Sequence, residues 1–357
     1  MVTLNTYKKQ RLNHRAKKTL KKSLLRIPGV FQSACLMTKT MNPRVLVYHR
    51  FCDRPDTEKL KIDSQTFENQ LLTIKKHFKI VTLAEILKQK RLKKPLPDNS
   101  AVLTVDDGYL DFYTIAYPLL KKHNVKATLF PVVNFVDQKI WLWPDRILYA
   151  FENTSQTNCV IAFKRWRFDI DLTSSQGTAS AFERIINVAI AIDNHQKWEL
   201  LDAVADQLQV DIPGLPTAKY APVSWDQLRE MNQNGIEIGS HTMNHPILSR
   251  IDKNEIEAEI FLSKAVLTKK LNNEIVSFCY PNSFPGDIND QVVEAVKRAG
   301  YWGAVFYLPP GDEDMFKIPR IPADQDMVNF NWHLCGMAYL HAIRGFKKQN
   351  HPTDYQN

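Results

Sequence analysis

The first 52 residues contain no aspartate or glutamate, no two cysteines stand in a CxxC spacing, and no apolar run is long enough to cross a bilayer. Each absence excludes something. An odd set of five scattered cysteines (Cys35, Cys52, Cys159, Cys279, Cys335) fits neither a disulfide framework nor a zinc cluster. They read as buried thiols of a reducing compartment. Without an apolar span, no integral membrane helix is expected. Without acids at the front, the formal charge of +9 is uneven: twelve basic residues precede Asp53, and the remainder carries 35 basic against 38 acidic residues, a sum of −3. The basicity therefore belongs to a leader, residues 1–43. No basic-and-aromatic recognition module follows it, so nucleic acid is not an expected partner.

Leu20, Leu24, Leu25 and Ile27 recur near helical spacing within that leader, which suits peripheral contact with an anionic membrane surface. A solvated arm or a transit peptide reads the same residues equally well. The leader makes a poor secretory signal, because Pro28, Gly29, Gln32 and Ser33 interrupt its apolar part. A cytoplasmic or membrane-peripheral location is the expectation. The oligomeric state is left open by the sequence.

What is present begins with a strand-helix-strand rhythm. Arg44–His49 reads as a strand, Ser64–His77 as a helix, Lys79–Thr82 as a short strand and Leu83–Gln89 as a short helix. Ala101–Val105 is a buried strand, Phe112–His123 a helix bent near Pro118, and Lys126–Val133 another strand. From about Asp137 to Pro222 the rhythm breaks, tryptophans concentrate, and a helical segment over Ala181–Leu208 follows a polar loop at Thr173–Gly177. Trp141 and Trp143 suit either sugar stacking or the insertion's own core, and the core is the preferred reading. The rhythm resumes at Ser224 with a capping box to Gln227 and a helix closed by Gly235. Strands at Ile236–Gly239, Val276–Tyr280 and Trp302–Phe306 alternate with helices starting at Asp252 and Asn289. Met327–Phe346 reads as a closing helix. The expected architecture is α/β: a parallel sheet closed or nearly closed into a barrel over 44–136 and 223–326, with an inserted, partly helical subdomain at 137–222 and a closing helix and tail at 327–357.

The chemistry sits at strand ends. Ala101–Tyr109 (AVLTVDDGY) ends its buried strand in two adjacent acids and a turn glycine, where α/β folds place reacting groups. Ser240–Pro246 (SHTMNHP) offers two histidines four apart. Two imidazoles and a carboxylate, with a fourth position open, make the composition of a catalytic zinc-type site.

Together these motifs resemble those of the polysaccharide deacetylase family (carbohydrate esterase family 4), across roughly Arg44–Arg320 apart from the insertion. The resemblance implies a distorted (β/α) barrel of about seven parallel strands, and a hydrolase that removes acetyl from N-acetylated hexosamines of a bacterial surface or capsular glycan or its precursor. It implies Asp107, His241 and His245 as ligands of a divalent metal, with zinc the expected ion, and Asp106 as general base. The family's Arg-x-Pro-Tyr motif is altered here to Cys279-Tyr280-Pro281-Asn282. The backbone N–H of Asn282 remains a candidate oxyanion donor, and Arg320 (in KIPRIP) is expected to orient Asp106 in place of the missing arginine. Tyr109, Tyr280 and His49 are the expected substrate-lining residues, although His49 also suits a structural role. The family's general acid has no placed counterpart, since His333 and His341 fall on the closing helix. Two rivals follow from these departures: a glycan-binding relic with weakened turnover, and a related amidase or esterase acting on a non-sugar substrate.

Overall fold

The computed structural model of the protein describes residues 19–38, 43–55, 61–282, 286–306 and 314–338. Two helices, α1 (19–26) and α2 (Val30–Met37), lead into β1 (Arg44–Tyr48). The first half of the body then runs β2 (Arg50–Cys52), β3 (Lys61–Asp63), α3 (Ser64–His77), β4 (Lys79–Ile80), α4 (Leu83–Arg91) and β5 (Ser100–Asp107). A π-helical turn at Phe112–Ala116 passes into α5 (Tyr117–Lys122), which is where Pro118 was expected to bend a single helix. β6 (Ala127–Pro131) and α6 (Val133–Val136) complete this half. All eight residues of β5 are buried, as befits a parallel strand covered on both faces.

The insertion holds α7 (Trp143–Asn153), β7 (Asn158–Phe163), β8 (Trp166–Asp171), α8 (Ser175–Ala191) and α9 (Asn194–Gln207). β7 and β8 form an antiparallel hairpin, which the sequence reading did not anticipate. The single helix expected over 181–208 is two, because Asp193 stops the first and caps the second by accepting from Gln196 N. The expected polar loop at 173–177 already holds the start of α8, capped by Ser174. The insertion has its own core of Trp143, Ile147, Ile161, Phe168, Ile185 and Leu200. Trp141 and Trp143 are buried, and Trp141 donates to the Pro213 carbonyl at 2.7 Å, so neither offers a face to a sugar.

The second half runs α10 (Trp225–Gln233), β9 (Ile236–Ile238), α11 (Lys253–Leu271), β10 (Ser277–Cys279), α12 (Asp290–Arg298), β11 (Gly303–Phe306), β12 (Ile318–Pro319), β13 (Ile321–Pro322) and α13 (Met327–Leu334). Capping boxes at Ser224/Gln227 and Asp252/Glu255 start α10 and α11 as expected. α13 ends at Leu334, and a turn with Gly336 at φ +82° interrupts the expected closing helix; residues 337–338 are helical again, and the rest of the span to Phe346 lies outside the described residues. His341 lies outside the described residues.

Parallel pairing orders β13-β1-β5-β6-β9, with β4 also on β5, and separately β10-β11-β12. A single bridge, Ser240 to Phe278, joins the two sheets at one seam. At the other seam the chain itself passes from β12 through Arg320 to β13. Among the described residues ladder hydrogen bonds do not run continuously from one sheet to the other, so strand pairing alone does not close the expected barrel. The described part of the leader is folded against this body. Phe31 packs on the His77 ring at 4.7 Å, Thr38 Oγ1 donates to the Cys335 carbonyl at 3.1 Å, and Lys21 Nζ donates to Asn329 Oδ1 at 3.0 Å.

Candidate active site

β5 delivers Asp106 and Asp107 to one end of the sheet, and the backbone there separates them. Asp107 takes a left-handed φ of 73°, followed by Gly108 at 88°. A Cβ on Gly108 would lie 3.0 Å from that of Pro131, so the turn beside the acids needs glycine. Asp106 points to Arg320, and Asp107 points to the two histidines.

Arg320 grips Asp106 with both amino groups: Nη1 to Oδ1 and Nη2 to Oδ2 are each 2.7 Å, and Nη1 also donates to Thr104 Oγ1 at 3.2 Å. All three residues are buried. Burial alone would raise the Asp106 carboxyl, but the guanidinium outweighs it and holds the group well below the usual carboxylate range. Cys279 Sγ lies 3.5 Å from Asp106 Oδ2. His49 Nε2 lies 3.7 Å from the same oxygen, on a side chain about one-third exposed (32%).

His241 Nε2 and His245 Nε2 stand 3.6 Å and 3.5 Å from Asp107 Oδ1. These separations are too long for hydrogen bonds. They match the edges of a tetrahedron whose centre lies about 2.1 Å from each vertex, which puts ligand atoms about 3.4 Å apart. The Nδ1–H of His241 donates to the Cys279 carbonyl at 2.8 Å, which leaves Nε2 as the lone pair facing Asp107. His245 Nδ1 is buried without a hydrogen-bond partner among the described residues. Burial, then Asp106, pushes Asp107 well above its ordinary value. Burial, partly offset by Asp106, pushes His241 down to about 4, and burial with neighbouring His241 lowers His245 too. A buried acid and two neutral imidazoles facing one point are a donor set for a divalent cation, whose charge would reverse the Asp107 shift and keep both imidazoles neutral.

The histidine loop is held by its own side chains and by groups on α11. Thr242 and His245 adopt φ of 70° and 56°, a costly conformation for a β-branched residue. Thr242 Oγ1 accepts from His245 N at 3.0 Å. Glu259 on α11 accepts from Met243 N (2.8 Å) and Asn244 N (2.9 Å) through one oxygen, and from Asn244 Nδ2 (2.6 Å) through the other. Ser240 Oγ pairs with Ser263 Oγ at 2.8 Å, which ties the start of the loop to α11.

The insertion contributes as well. Asp145 of α7 accepts from the Tyr109 hydroxyl at 2.7 Å, and the Arg50 guanidinium lies 4.1 Å from the centre of the Tyr109 ring while pairing with Asp111 at 2.8 Å. Lys197 of α9 is 2% exposed and close enough for its charge to act on His245 and Glu259. Nothing in the local sequence marks either Asp145 or Lys197, since both sit in helical stretches that read as ordinary amphipathic surface.

Of the nine residues expected to form the site, Asp106, Asp107, His241, His245, Arg320 and His49 come together. Asn282 lies three residues past Cys279 at φ 61°, half-buried, and its Nδ2 has no hydrogen-bond partner among the described residues. Two substrate-lining expectations need correction. Tyr109 is 5% exposed with its hydroxyl bound to Asp145, and Tyr280 is 1% exposed with its hydroxyl donating to the Phe316 carbonyl at 3.0 Å. Tyr109 supports the site from behind, and Tyr280 packs into the core.

The chain is 32% identical over 195 residues to the poly-β-1,6-N-acetyl-D-glucosamine N-deacetylase of Staphylococcus epidermidis, covering 50% of this chain and 60% of that protein. It is 44% identical over 57 residues to the Escherichia coli (strain K12) protein of the same description, covering 16% of this chain and 8% of that one. The chain thus spans less than two thirds of either relative. Among solved structures, a Streptococcus pyogenes deacetylase in complex with acetate superposes with a TM-score of 0.52 at 18% identity, over 80% of this chain and 93% of that one. A de-N-acetylase from Aggregatibacter actinomycetemcomitans gives 0.51 at 18%, over 84% and 98%. These two likenesses establish the shared fold. The family model for polysaccharide deacetylases matches residues 93–304, more than half of the sequence and both strand-end motifs, and the chain belongs to that family.

Proposed function

We propose that the protein is a metal-dependent N-deacetylase that hydrolyses the acetamide of N-acetylated hexosamine units, with a β-linked N-acetylglucosamine glycan of the bacterial surface, or its precursor, as substrate class. The observation that carries this reading is the convergence of Asp107, His241 and His245 on one point beside an Asp106 clamped by Arg320.

The donor set fits a divalent ion, for which zinc is the natural candidate, and the ion when bound would supply Lewis acidity toward water and the amide carbonyl. The residues do the rest. Asp106, kept ionised by Arg320 and fixed by two parallel hydrogen bonds, accepts a proton from the attacking water. The Asn282 backbone N–H serves as donor to the developing oxyanion. We assign His49, part-exposed and 3.7 Å from the Asp106 carboxylate, a role beyond substrate lining: it passes the proton taken up by Asp106 to the departing amine. Arg320 restores from a later strand end what Cys279 removes from the usual position, and this argues against the binding-relic rival.

Acetate release from N-acetylglucosamine oligomers by metal-loaded protein tests the reading, with His241→Ala as control. Release that is abolished by chelation and by the substitution is the expected result. No release from any N-acetylated glycan, or full activity after exhaustive chelation, would overturn it. His49→Gln should lower kcat far more than it raises KM, whereas a substrate-lining histidine would mainly change KM.

A further inference from the structure

The leader helices leave an unusual surface. Ten large apolar side chains are exposed among the described residues, and four of them lie here: Leu20 (60%), Ile27 (52%), Leu36 (70%) and Met37 (71%). Between them stand exposed Lys22 and Arg26, and no acidic residue occurs anywhere before Asp53. The other faces of the same helices are used up against the body, through Ala34, Phe31, Lys21 and Thr38. Apolar groups set among uncompensated cations fit a surface that is anionic outside and hydrocarbon within. None of the described helices is long and apolar enough to cross a membrane.

The position of the leader adds a direction. It enters β1 at Arg44, which is in register with Ala101 at the start of β5, whereas Asp106 and Asp107 lie at the far end of that strand. Six residues of strand put about 20 Å between the two levels. Phe31 packs against the His77 ring, at the C-terminal end of α3 just before β4 begins, and this is again the end remote from the catalytic acids.

We propose that the exposed face of α1 and α2, with Leu20, Ile27, Leu36 and Met37 set among Lys22 and Arg26, docks on an anionic lipid membrane and holds the catalytic mouth facing away from the bilayer. The enzyme then draws its glycan from the aqueous side, as a chain extended from the surface or free of it, and not as a sugar held at headgroup level. The orientation rests on the proposed active site; the docking itself does not.

The test uses the full chain and vesicles of phosphatidylcholine with or without phosphatidylglycerol, read by co-sedimentation. Binding should require phosphatidylglycerol and weaken as salt is raised. The variant Lys22→Glu/Arg26→Glu and the variant Leu20→Ser/Ile27→Ser/Leu36→Ser/Met37→Ser should each bind about tenfold more weakly or worse, with the parent's melting temperature retained. Vesicle-bound parent should deacetylate soluble N-acetylglucosamine oligomers as fast as free parent, and a large slowing on vesicles would overturn the orientation. Equal binding to neutral vesicles, no binding to anionic ones, or unchanged binding by both variants would overturn the docking. So would a parent that dimerises through this face without lipid, or one that prefers single-stranded RNA to vesicles. The sedimentation readout needs no turnover, so protein that binds vesicles but releases no acetate would sink the proposed reaction and leave the surface standing.

Discussion

The strand-end floor and the insertion both bring buried charge to the same site, and they hold it by opposite means. On the floor, Asp106 meets Arg320 through two 2.7 Å hydrogen bonds. In the insertion, Lys197 is equally buried, but its ammonium rests against ring faces, 5.0 Å from the centre of Trp143 and 5.8 Å from that of Trp198, with no hydrogen bond to a carboxylate among the described residues. Ring faces return about 0.5–2 kcal/mol to a cation. That is less than several kcal/mol of desolvation. The floor spends its ion pair on fixing a reactive group, whereas the insertion carries a charge whose removal should leave the fold better off.

The largest effect is expected on the floor. His241→Ala or Asp107→Asn removes a vertex of the three-atom donor set. Each variant should lose bound metal, measured on dialysed protein, and drop to background acetate release. Asp106→Asn should keep the metal and lose activity by about 10²–10⁴-fold, the range for a general base. If it lost the metal equally, the division of labour between the two acids would be wrong.

Arg320→Met comes next. It leaves a buried carboxylate unpaired, which should cost about 3–5 kcal/mol in denaturant melts. The sign of its pH dependence is fixed by Asp106. In the parent, the folded carboxyl titrates below its unfolded value, so its contribution is present above the unfolded pKa and is lost as pH falls through the folded one. Without Arg320, burial takes over and raises that carboxyl. The acid limb of the pH–activity profile should therefore move to higher pH. Arg320→Lys should lie between the two, because a point charge cannot make both parallel bonds.

Lys197→Met should act in the opposite direction. Burial, partly offset by Glu259, lowers Lys197 from its ordinary 10.5 to about 7. Between those values the unfolded chain binds more protons than the folded one, so parent stability should rise with pH from about 7 toward 10. The variant should lack that slope. Near neutral pH it should be more stable by on the order of 1–4 kcal/mol, the range for replacing buried charge by apolar side chains of similar volume. A destabilised variant would mean that the lysine chiefly compensates Glu259 and the histidine loop.

The same contrast explains what could be read from sequence. β5, the capped helices α10 and α11, and the His241/His245 spacing are local signals, because a continuous apolar run, a capping box and an i, i+4 pair each fall within one short window. Arg320 was legible only through the resemblance, which left a gap that a later strand-end arginine could fill. The β7–β8 hairpin was not, because its connection is Lys164-Arg165, with Lys164 at φ 51°, and it lacks the Asn-Gly type of signal that marks such turns. Glu259 and Lys197 sit in sequences indistinguishable from solvated helix faces. Their burial comes from packing between distant segments, which no local period encodes. Tyr109 and Tyr280 failed for the same reason: both adjoin a motif, and both are turned inward by tertiary contacts.

The smallest effect should come from Cys279, and it tests whether the floor's pairing is complete without it. Its thiol is wholly buried, and burial pushes its pKa well up, so beside Asp106 it is a neutral neighbour. At 3.5 Å from Oδ2 it is at best a weak donor. Arg320 already supplies two charged bonds to the same carboxylate, so Cys279→Ala should change kcat/KM by less than about threefold, under about 0.7 kcal/mol of transition-state stabilisation. The small cavity should cost about 1 kcal/mol of stability. A fall in activity as deep as that of Arg320→Met, at unchanged metal content, would instead make the thiol a partner in orienting Asp106, and the guanidinium alone would then be too little to hold the base.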